Sequence, residues 1–342
     1  MNINRQKTGE QVKAFCARIG KDPLLVQGAG GNVSWKEGDI LWVKASGTWL
    51  ADAITNDIFI PVDLGDLRMA IANKDFQAIP KVVGETKLRP SIETLLHTLM
   101  PHKVVAHLHA VEILAHLVRA DPSTAFRKLI GGRIKWSHVE YYKPGPDLAK
   151  AVAASLIQKP DADVIFLQNH GVVLGGACVE DIEDNLQKLL TILKNPIVTF
   201  LNKSGLYESA PLIQSEFYNP CSDSDVNQLA ISSYLSTRIV DEWILYPDHA
   251  VFLGGEPAIL GHSFKLADLY VRNKNKPAFI FDIGKGVYES KSSTPTQKLQ
   301  LRCYYDVIIR QQLTEKLVSL SRNSIAELLD WEAEKYREMK SK

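Results

Sequence analysis

The chain reads as an α/β protein whose strands and helices alternate along its length, with a smaller α/β unit at its C-terminal end. Three observations carry this. Residues 163–167 are almost purely apolar, as in a strand buried on both faces of a sheet. Residues 9–19 space Val12, Phe15, Cys16 and Ile19 on one helical face, and 179–193 form a longer helix. The 342 residues are 45% hydrophobic and 23% charged, which suits a globular protein with a large core in one large or two modest domains.

The charge balance narrows the partners. Lys plus Arg is 40 and Asp plus Glu is 39, so nothing favours nucleic acid or an anionic membrane. No run reaches membrane-spanning length, and the first residues lack a secretory apolar core. The four cysteines, Cys16, Cys178, Cys221 and Cys303, are scattered, which predicts free thiols in a reducing cytoplasm.

After the first helix, 24–27 reads as a short buried strand entering Gly28-Ala29-Gly30-Gly31-Asn32. Glycines there let the backbone approach a phosphate, and they equally suit a hairpin turn into a strand at 33–35. No Gly-Lys-Ser/Thr follows, so this is not a Walker A loop. The strand 40–43 ends in Lys44-Ala45-Ser46-Gly47, where the Ser46 hydroxyl and Gly47 N–H either meet a phosphate or simply close a turn. A strand at 58–62 and a short helix at 66–72 precede an irregular polar stretch, 74–89. Pro90-Ser91 opens a helix, with Ser91 a cap or a phosphate contact, and Glu93 stands beside Leu95, Leu96 and Leu99. His97, one turn on, reads as a polar-face histidine, with a supporting contact to Glu93 as the alternative.

Residues 103–109 form a buried strand and 110–120 a helix. Short strands at 134–136 and 139–141 lead to the turn Lys143-Pro144-Gly145-Pro146 and a helix at 147–158. The strand 163–167 delivers Gln168-Asn169-His170-Gly171, and a strand at 172–174 follows. Lys, Ser, Gly, Pro and Asn accumulate between Asn202 and Asp223, predicting domains at 1–205 and 206–342. Beyond it, Ser222 caps a helix to about 241, strands fall at 243–246, 250–253 and 278–282, and helices at 296–317 and 324–340. Residues 164–193 and 279–308 share the order strand, glycine turn, strand, long helix, with Lys285 where the first copy has His170. The second unit is thus a degenerate partial repeat, or the likeness is chance.

Alternation along a strand places His107 and His109 on one face with Leu108 opposite. Two such imidazoles plus His170 from a distant turn can hold a divalent metal and leave a position open. On spacing alone, strand histidines bonded to their neighbours explain the pair as well.

Five motifs occur in order: Gly28-Ala29-Gly30-Gly31-Asn32-Val33-Ser34, Lys44-Ala45-Ser46-Gly47, Pro90-Ser91-Ile92-Glu93, His107-Leu108-His109 and Asn169-His170-Gly171. Together they resemble the class II aldolase/adducin family, the zinc-dependent sugar-phosphate aldolases of the fuculose- and rhamnulose-phosphate type. RPSIETLLH together with WVKASG is most similar to a longer rhamnulose-phosphate-aldolase-like branch. The resemblance spans residues 8–205. It implies a three-layer α/β/α fold with a central mixed sheet, and Zn²⁺ on His107, His109 and His170. It implies Glu93 as catalytic acid/base, a role suited by a pKa that burial raises, and a phosphate anchor of Gly31, Asn32, Ser46, Gly47 and Ser91. Many members have a serine just before that glutamate; here it is Ile92.

The activity so implied is reversible retro-aldol cleavage of a ketose 1-phosphate, such as the deoxysugar rhamnulose 1-phosphate, to dihydroxyacetone phosphate and an aldehyde. A sugar-phosphate epimerase or dehydratase would use the same metal site. A non-catalytic adducin-like scaffold is expected to lack the ligands, and this chain has all four residues. Tyr141 and Tyr142 are candidates for a second acid by residue type. His249 reads as a turn histidine, or as a contact offered by a C-terminal unit that walls the substrate site. A homo-oligomer, dimer or tetramer, is also implied. No glycine-rich Rossmann fingerprint is found, so no fused dehydrogenase is expected.

Overall fold

The computed structural model describes residues 3–198, 217–260 and 276–341. Helix α1 (Ile3–Ile19) leads into an antiparallel meander of β1 (Asn32–Glu37), β2 (Ile40–Lys44) and β3 (Phe59–Asp63). Then come α2 (Leu64–Ala72), α3 (Thr94–Leu99), β4 (Val104–Leu108), α4 (Val111–Leu117) and α5 (Pro122–Ile130). The sheet is completed by β5 (Trp136–Val139), β6 (Val164–Leu167) and β7 (Gly171–Gly176), with α6 (Pro146–Gln158) and α7 (Val179–Ile192) between and after them.

The strand order is β3-β2-β1-β4-β7-β6-β5, antiparallel except for β5 beside β6, so the sheet is mixed and β4 lies at its centre. Side-chain alternation divides the core. Val104, Ala106 and Leu108 pack with residues of α1, α5 and α7, whereas Val105 packs on the other face with Leu96, Leu148 and Val152. Helices therefore cover both faces, and the three-layer α/β/α fold expected from the resemblance is present.

The second sheet joins β8 (Tyr218–Pro220), β9 (Ile259–Leu260), β10 (Phe279–Asp282) and β11 (Gly286–Ser290) in the order β8-β11-β10-β9. Its helices are α8 (Ser224–Ile231), α9 (Ser233–Asp241), α10 (Pro247–Leu253), α11 (Pro295–Ile308), α12 (Arg322–Leu329) and α13 (Glu332–Lys340). Helix α4 joins the two cores: Ile113 and Leu117 belong to the first, Val111 and Leu114 to the second. The apolar stripe of α11, including Leu301, Tyr304 and Ile308, is buried in that second core of the same chain.

Several expectations are corrected. Residues 24–27 form turns, not a strand, because the Asp22 carboxylate takes the Leu24 N–H and its carbonyl takes those of Leu25 and Val26. Pro90 pairs with Ala45 in an isolated bridge, so the helix begins only at Thr94. The two strands expected at 134–136 and 139–141 are one, Trp136–Val139. Strand β6, whose apolar run suggests a central place in the sheet, is second from its edge, and is apolar because helices cover both its faces. Asp223, not Ser222, caps α8, and Ser232 breaks the expected long helix by capping α9. Residues 243–246 join no ladder, and 250–253 lie in α10, because a short apolar run does not distinguish strand from buried helix. The helix expected to 317 ends at Ile308, and 324–340 is two helices.

The proposed boundary at 202–223 falls largely on 199–216, outside the described residues. The internal echo has a local counterpart. Both hairpins close on three-residue loops, Leu167 facing Gly171 and Asp282 facing Gly286, with positive φ at the middle residue: 49° at Asn169 and 84° at Gly284. Among the described residues no helix is long and apolar enough to cross a membrane, and all four cysteines are free.

Candidate active site

The central strand builds the site. His107 is the penultimate residue of β4, opposite Asn32 on β1 and Val173 on β7, and His109 lies just past the strand end on the same side. The turn after β6 brings in His170. The side-chain amide of Asn169, the residue at positive φ, donates to the Leu245 and Val318 carbonyls at 2.8 and 2.5 Å and so ties that turn to the second unit. His107 Nδ1 faces the Val172 carbonyl at 3.2 Å, which turns its Nε2 toward His109 Nε2, 3.2 Å away. One nitrogen from each of the three rings lies within 4.8 Å of the others, and all three side chains are buried.

Glu93 completes the cluster from the residue preceding α3. Its Oε2 lies 3.5 Å from His107 Nε2 and its Oε1 3.5 Å from His170 Nε2. Asn32 donates its amide to Oε2 at 2.8 Å, and its own carbonyl oxygen meets His97 Nε2. His97 Nδ1 is in turn 2.8 Å from Ser34 Oγ. His97 is therefore not on a polar face. It is fully buried and orients the amide that holds the carboxylate.

Burial is the largest influence on all of these groups. It pushes His107 down to about 4 and His170 to about 3, so both imidazoles are neutral with lone pairs available. Burial pushes Glu93 up, but His107, His170 and the Asn32 amide outweigh it and hold the carboxyl down at about 2. The expectation that burial would raise this pKa is thus overturned by the polar cradle.

Buried and without a hydrogen-bond partner in this cluster stand Glu93 Oε1, His109 Nδ1 and His170 Nδ1. Neutral imidazoles, an ionised carboxylate and a partnerless oxygen converging on one point fit a divalent cation. His107, His109 and His170 are the residues that can hold it.

The pocket above the cluster is lined by Gly31, Asn32, Ser46, Gly47, Ser91, Glu93, His109 and His170, so eight of the nine residues singled out in the sequence meet at one cavity, with His107 beneath. Residues 89–91 run beside 44–46, Ser46 N–H donating to the Arg89 carbonyl and Ser91 N–H to the Lys44 carbonyl. Ser91 Oγ accepts the Glu93 N–H at 3.2 Å. Both polar ends of the Asn32 side chain are engaged by Glu93 and His97.

Four further charged side chains line the pocket: Lys44, from the Lys44-Ala45-Ser46-Gly47 motif, and Asp248, Glu334 and Arg337, which the sequence reading left without a role. Lys44 Nζ donates to the Thr48 carbonyl at 2.6 Å, and burial with the Arg337 charge brings its pKa down to about 7. The other three come from α10 and α13, distant in sequence and without a local motif. Asp248, not His249, is the side chain the second unit offers; the His249 ring lies buried against Tyr246, 3.7 Å between centroids. Neither Tyr141 nor Tyr142 lines the pocket, and Tyr142 is 45% exposed.

Helix α13 closes the pocket mouth. Gly47 has φ 79°, and a Cβ there would lie 2.5 Å from Lys340 Cβ, so only glycine allows this approach. Arg89 holds the helix from outside through Glu332, at 2.7 and 3.0 Å, and stacks on Tyr336. The water-accessible space left in the pocket is small, about 30 Å³.

Two buried histidines predict an acid sensitivity of the fold. Burial first, then Arg119, holds His116 down at about 4, and burial holds His97 at about 3, against 6.5 for the ordinary group. The unfolded chain therefore takes up protons first as pH falls. Stability is fully present above about 6.5 and is lost progressively on acidification through 4 toward 3. Between 6.5 and 4 each further drop of one in pH removes on the order of 1.4 kcal/mol for each of the two residues, and from 4 to 3 for His97 alone. Thermal melts of the metal-free protein should show Tm falling steadily from pH 6.5 to 4; a flat Tm over that range would contradict this.

A fold of this topology with three histidines and a glutamate at the end of its central strand defines a class of protein. The model of the Class II Aldolase and Adducin N-terminal domain family matches residues 10–194, and the chain belongs to that family. Among curated relatives, an uncharacterized oxidoreductase, YuxG, of Bacillus subtilis is 30% identical over 52% of this chain, but the match spans only 27% of that protein. An L-fuculose phosphate aldolase of Methanocaldococcus jannaschii is 29% identical over 56% of this chain and 96% of its own length. A solved N-terminal class II aldolase domain from Thermoplasma acidophilum is 29% identical, covering 54% of this chain and 91% of that one, with a TM-score of 0.46.

Proposed function

We propose that this chain is a Zn²⁺-dependent aldolase that reversibly cleaves a ketose 1-phosphate, such as rhamnulose 1-phosphate, into dihydroxyacetone phosphate and an aldehyde. The observation that carries this reading is the ionised Glu93 carboxylate, 3.5 Å from two of three clustered imidazoles at the floor of an enclosed polar pocket. His107, His109 and His170 would hold the ion, which supplies Lewis-acid polarisation of the substrate carbonyl. Glu93 takes the proton from the carbon beside that carbonyl in the condensation direction and returns it in cleavage. Asn32, oriented by His97, keeps Glu93 aimed. Gly31, Ser46, Gly47 and Ser91, near Lys44, anchor the phosphate and hold the reacting carbons in place. Asn32 was expected among them, but its side chain is engaged by Glu93 and His97 and can serve the phosphate only through its backbone.

Residues 1–205 form the catalytic domain in this reading, and 206–342 a smaller domain that walls the site. Helix α13, packed on Gly47, contributes Glu334 and Arg337 to the wall that a sugar phosphate would meet. We also expect a homo-oligomer, dimer or tetramer, which light scattering would show. The deciding experiment is a screen of ketose 1-phosphates with coupled detection of dihydroxyacetone phosphate and aldehyde. Cleavage of at least one supports the reading. Cleavage of none, alongside epimerisation of a pentulose phosphate, would transfer the same site to epimerase chemistry.

A further inference from the structure

We infer that Asp248, clamped by Arg337, is the positioning residue for His109, so that the C-terminal part of the chain sets the orientation of one ligand of the three-histidine centre. The inference rests on the reading of that cluster as a metal centre. It assigns a role to two residues outside the 10–194 span that the family model matches.

The two ring nitrogens of His109 face different neighbours. His109 Nε2 faces the cluster, 3.2 Å from His107 Nε2, while Nδ1 on the other side of the ring lies 3.3 Å from Asp248 Oδ2. An imidazole that offers Nε2 as a donor keeps its proton on Nδ1, and that proton needs an acceptor. For His107 the acceptor is a backbone carbonyl, that of Val172. For His109 the nearest acceptor is the Asp248 carboxylate, an ion-pair contact at 3.3 Å; drawn up to hydrogen-bond geometry when the ring binds a metal, it would fix the ring and make its free nitrogen a stronger donor.

The carboxylate is itself built in. Asp248 is buried, and Arg337 grips it with two parallel contacts, 2.7 Å to Oδ1 and 2.8 Å to Oδ2. Gln300 Nε2 donates to Oδ2 at 3.2 Å. Burial opposes the charge of Asp248, but Arg337 and His109 outweigh it and hold the carboxyl well below its usual range. Below the pair, Gly30 leaves the needed room: a Cβ there would lie 2.9 Å from Asp248 Oδ2 and 3.1 Å from His109 Nδ1. Arg337 keeps a second partner in Glu334 at 3.2 Å, so altering Asp248 does not strand the guanidinium.

The test uses the full chain and the metal alone. Zn²⁺ affinity is measured by competition with a chromophoric chelator, and the Co²⁺ form is examined by its d–d absorption. Asp248→Asn should weaken Zn²⁺ binding about 10- to 100-fold and alter the Co²⁺ spectrum, with circular dichroism unchanged. Arg337→Lys, which keeps the charge but loses the fork, should shift both in the same direction by less, and it decides the matter if Asp248→Asn fails to fold. Glu332→Gln loosens α13 at the Arg89 pin without touching Asp248, and should leave Zn²⁺ affinity as it was. Unchanged affinity and spectrum in folded Asp248→Asn would overturn the inference, as would an equal loss in Glu332→Gln, which would assign the effect to helix docking. Failure of the wild-type chain to bind Zn²⁺ would instead overturn the metal-centre reading beneath it.

Discussion

Glu93→Gln is expected to lower turnover of a cleaved ketose 1-phosphate by about a hundredfold or more while leaving metal content and fold intact. The substitution keeps the shape of the side chain and removes its charge and basicity. The amide can still meet the Asn32 amide through its oxygen, so the chain of contacts from Ser34 through His97 and Asn32 loses little. The three imidazoles are untouched, so the ion should stay. Proton transfer at carbon is what disappears, and the loss should therefore fall on kcat with saturating substrate, not on KM alone. Near-normal kcat in a metal-replete Glu93→Gln protein would remove Glu93 from the chemistry and leave it a structural carboxylate.

Replacing His107, His109 and His170 together by alanine should reduce bound divalent metal from about one per chain to near zero, and abolish turnover with it. Elemental analysis of dialysed wild type and variant measures this directly. The effect is large because the burial that keeps His107 and His170 neutral also keeps out water that could substitute as ligand. The variant should nevertheless fold. His107 lies between Asn32 and Val173 in a ladder of backbone hydrogen bonds that does not need its side chain. Equal metal content in the two proteins would show that the ion binds elsewhere.

Much of the fold follows from local pattern. The apolar segments at 40–43, 58–62, 103–109 and 163–167 are strands in the structure, and 9–19 and 179–193 are helices. The failures share a cause. Residues 250–253 and 243–246 are apolar because they are buried, and burial without a periodic partner pattern is compatible with helix, strand or extended chain. Tertiary packing chose the helix at α10, started by Pro247 in its first turn.

For the site, five short motifs in order, through the resemblance they carry, singled out the three histidines, the glutamate and the glycine and serine walls, and these residues meet at one cavity. Spacing alone left the histidine pair and the glycine turns open to plainer readings. What the sequence could not determine is everything that depends on long-range approach. The pKa of Glu93 turns on Asn32, His107 and His170 converging from three strands or turns, and their combined field reversed the expected effect of burial. Asp248, Glu334 and Arg337 enter the pocket from elements with no shared motif, and Arg337 meets Asp248 across 89 positions of chain. Such a pairing leaves no local periodicity, since neither partner constrains its own neighbours. Only the docking of α10 and α13 against the end of β4 brings the charges together, and it is this contact, made by packing, that closes the pocket and places a carboxylate behind His109.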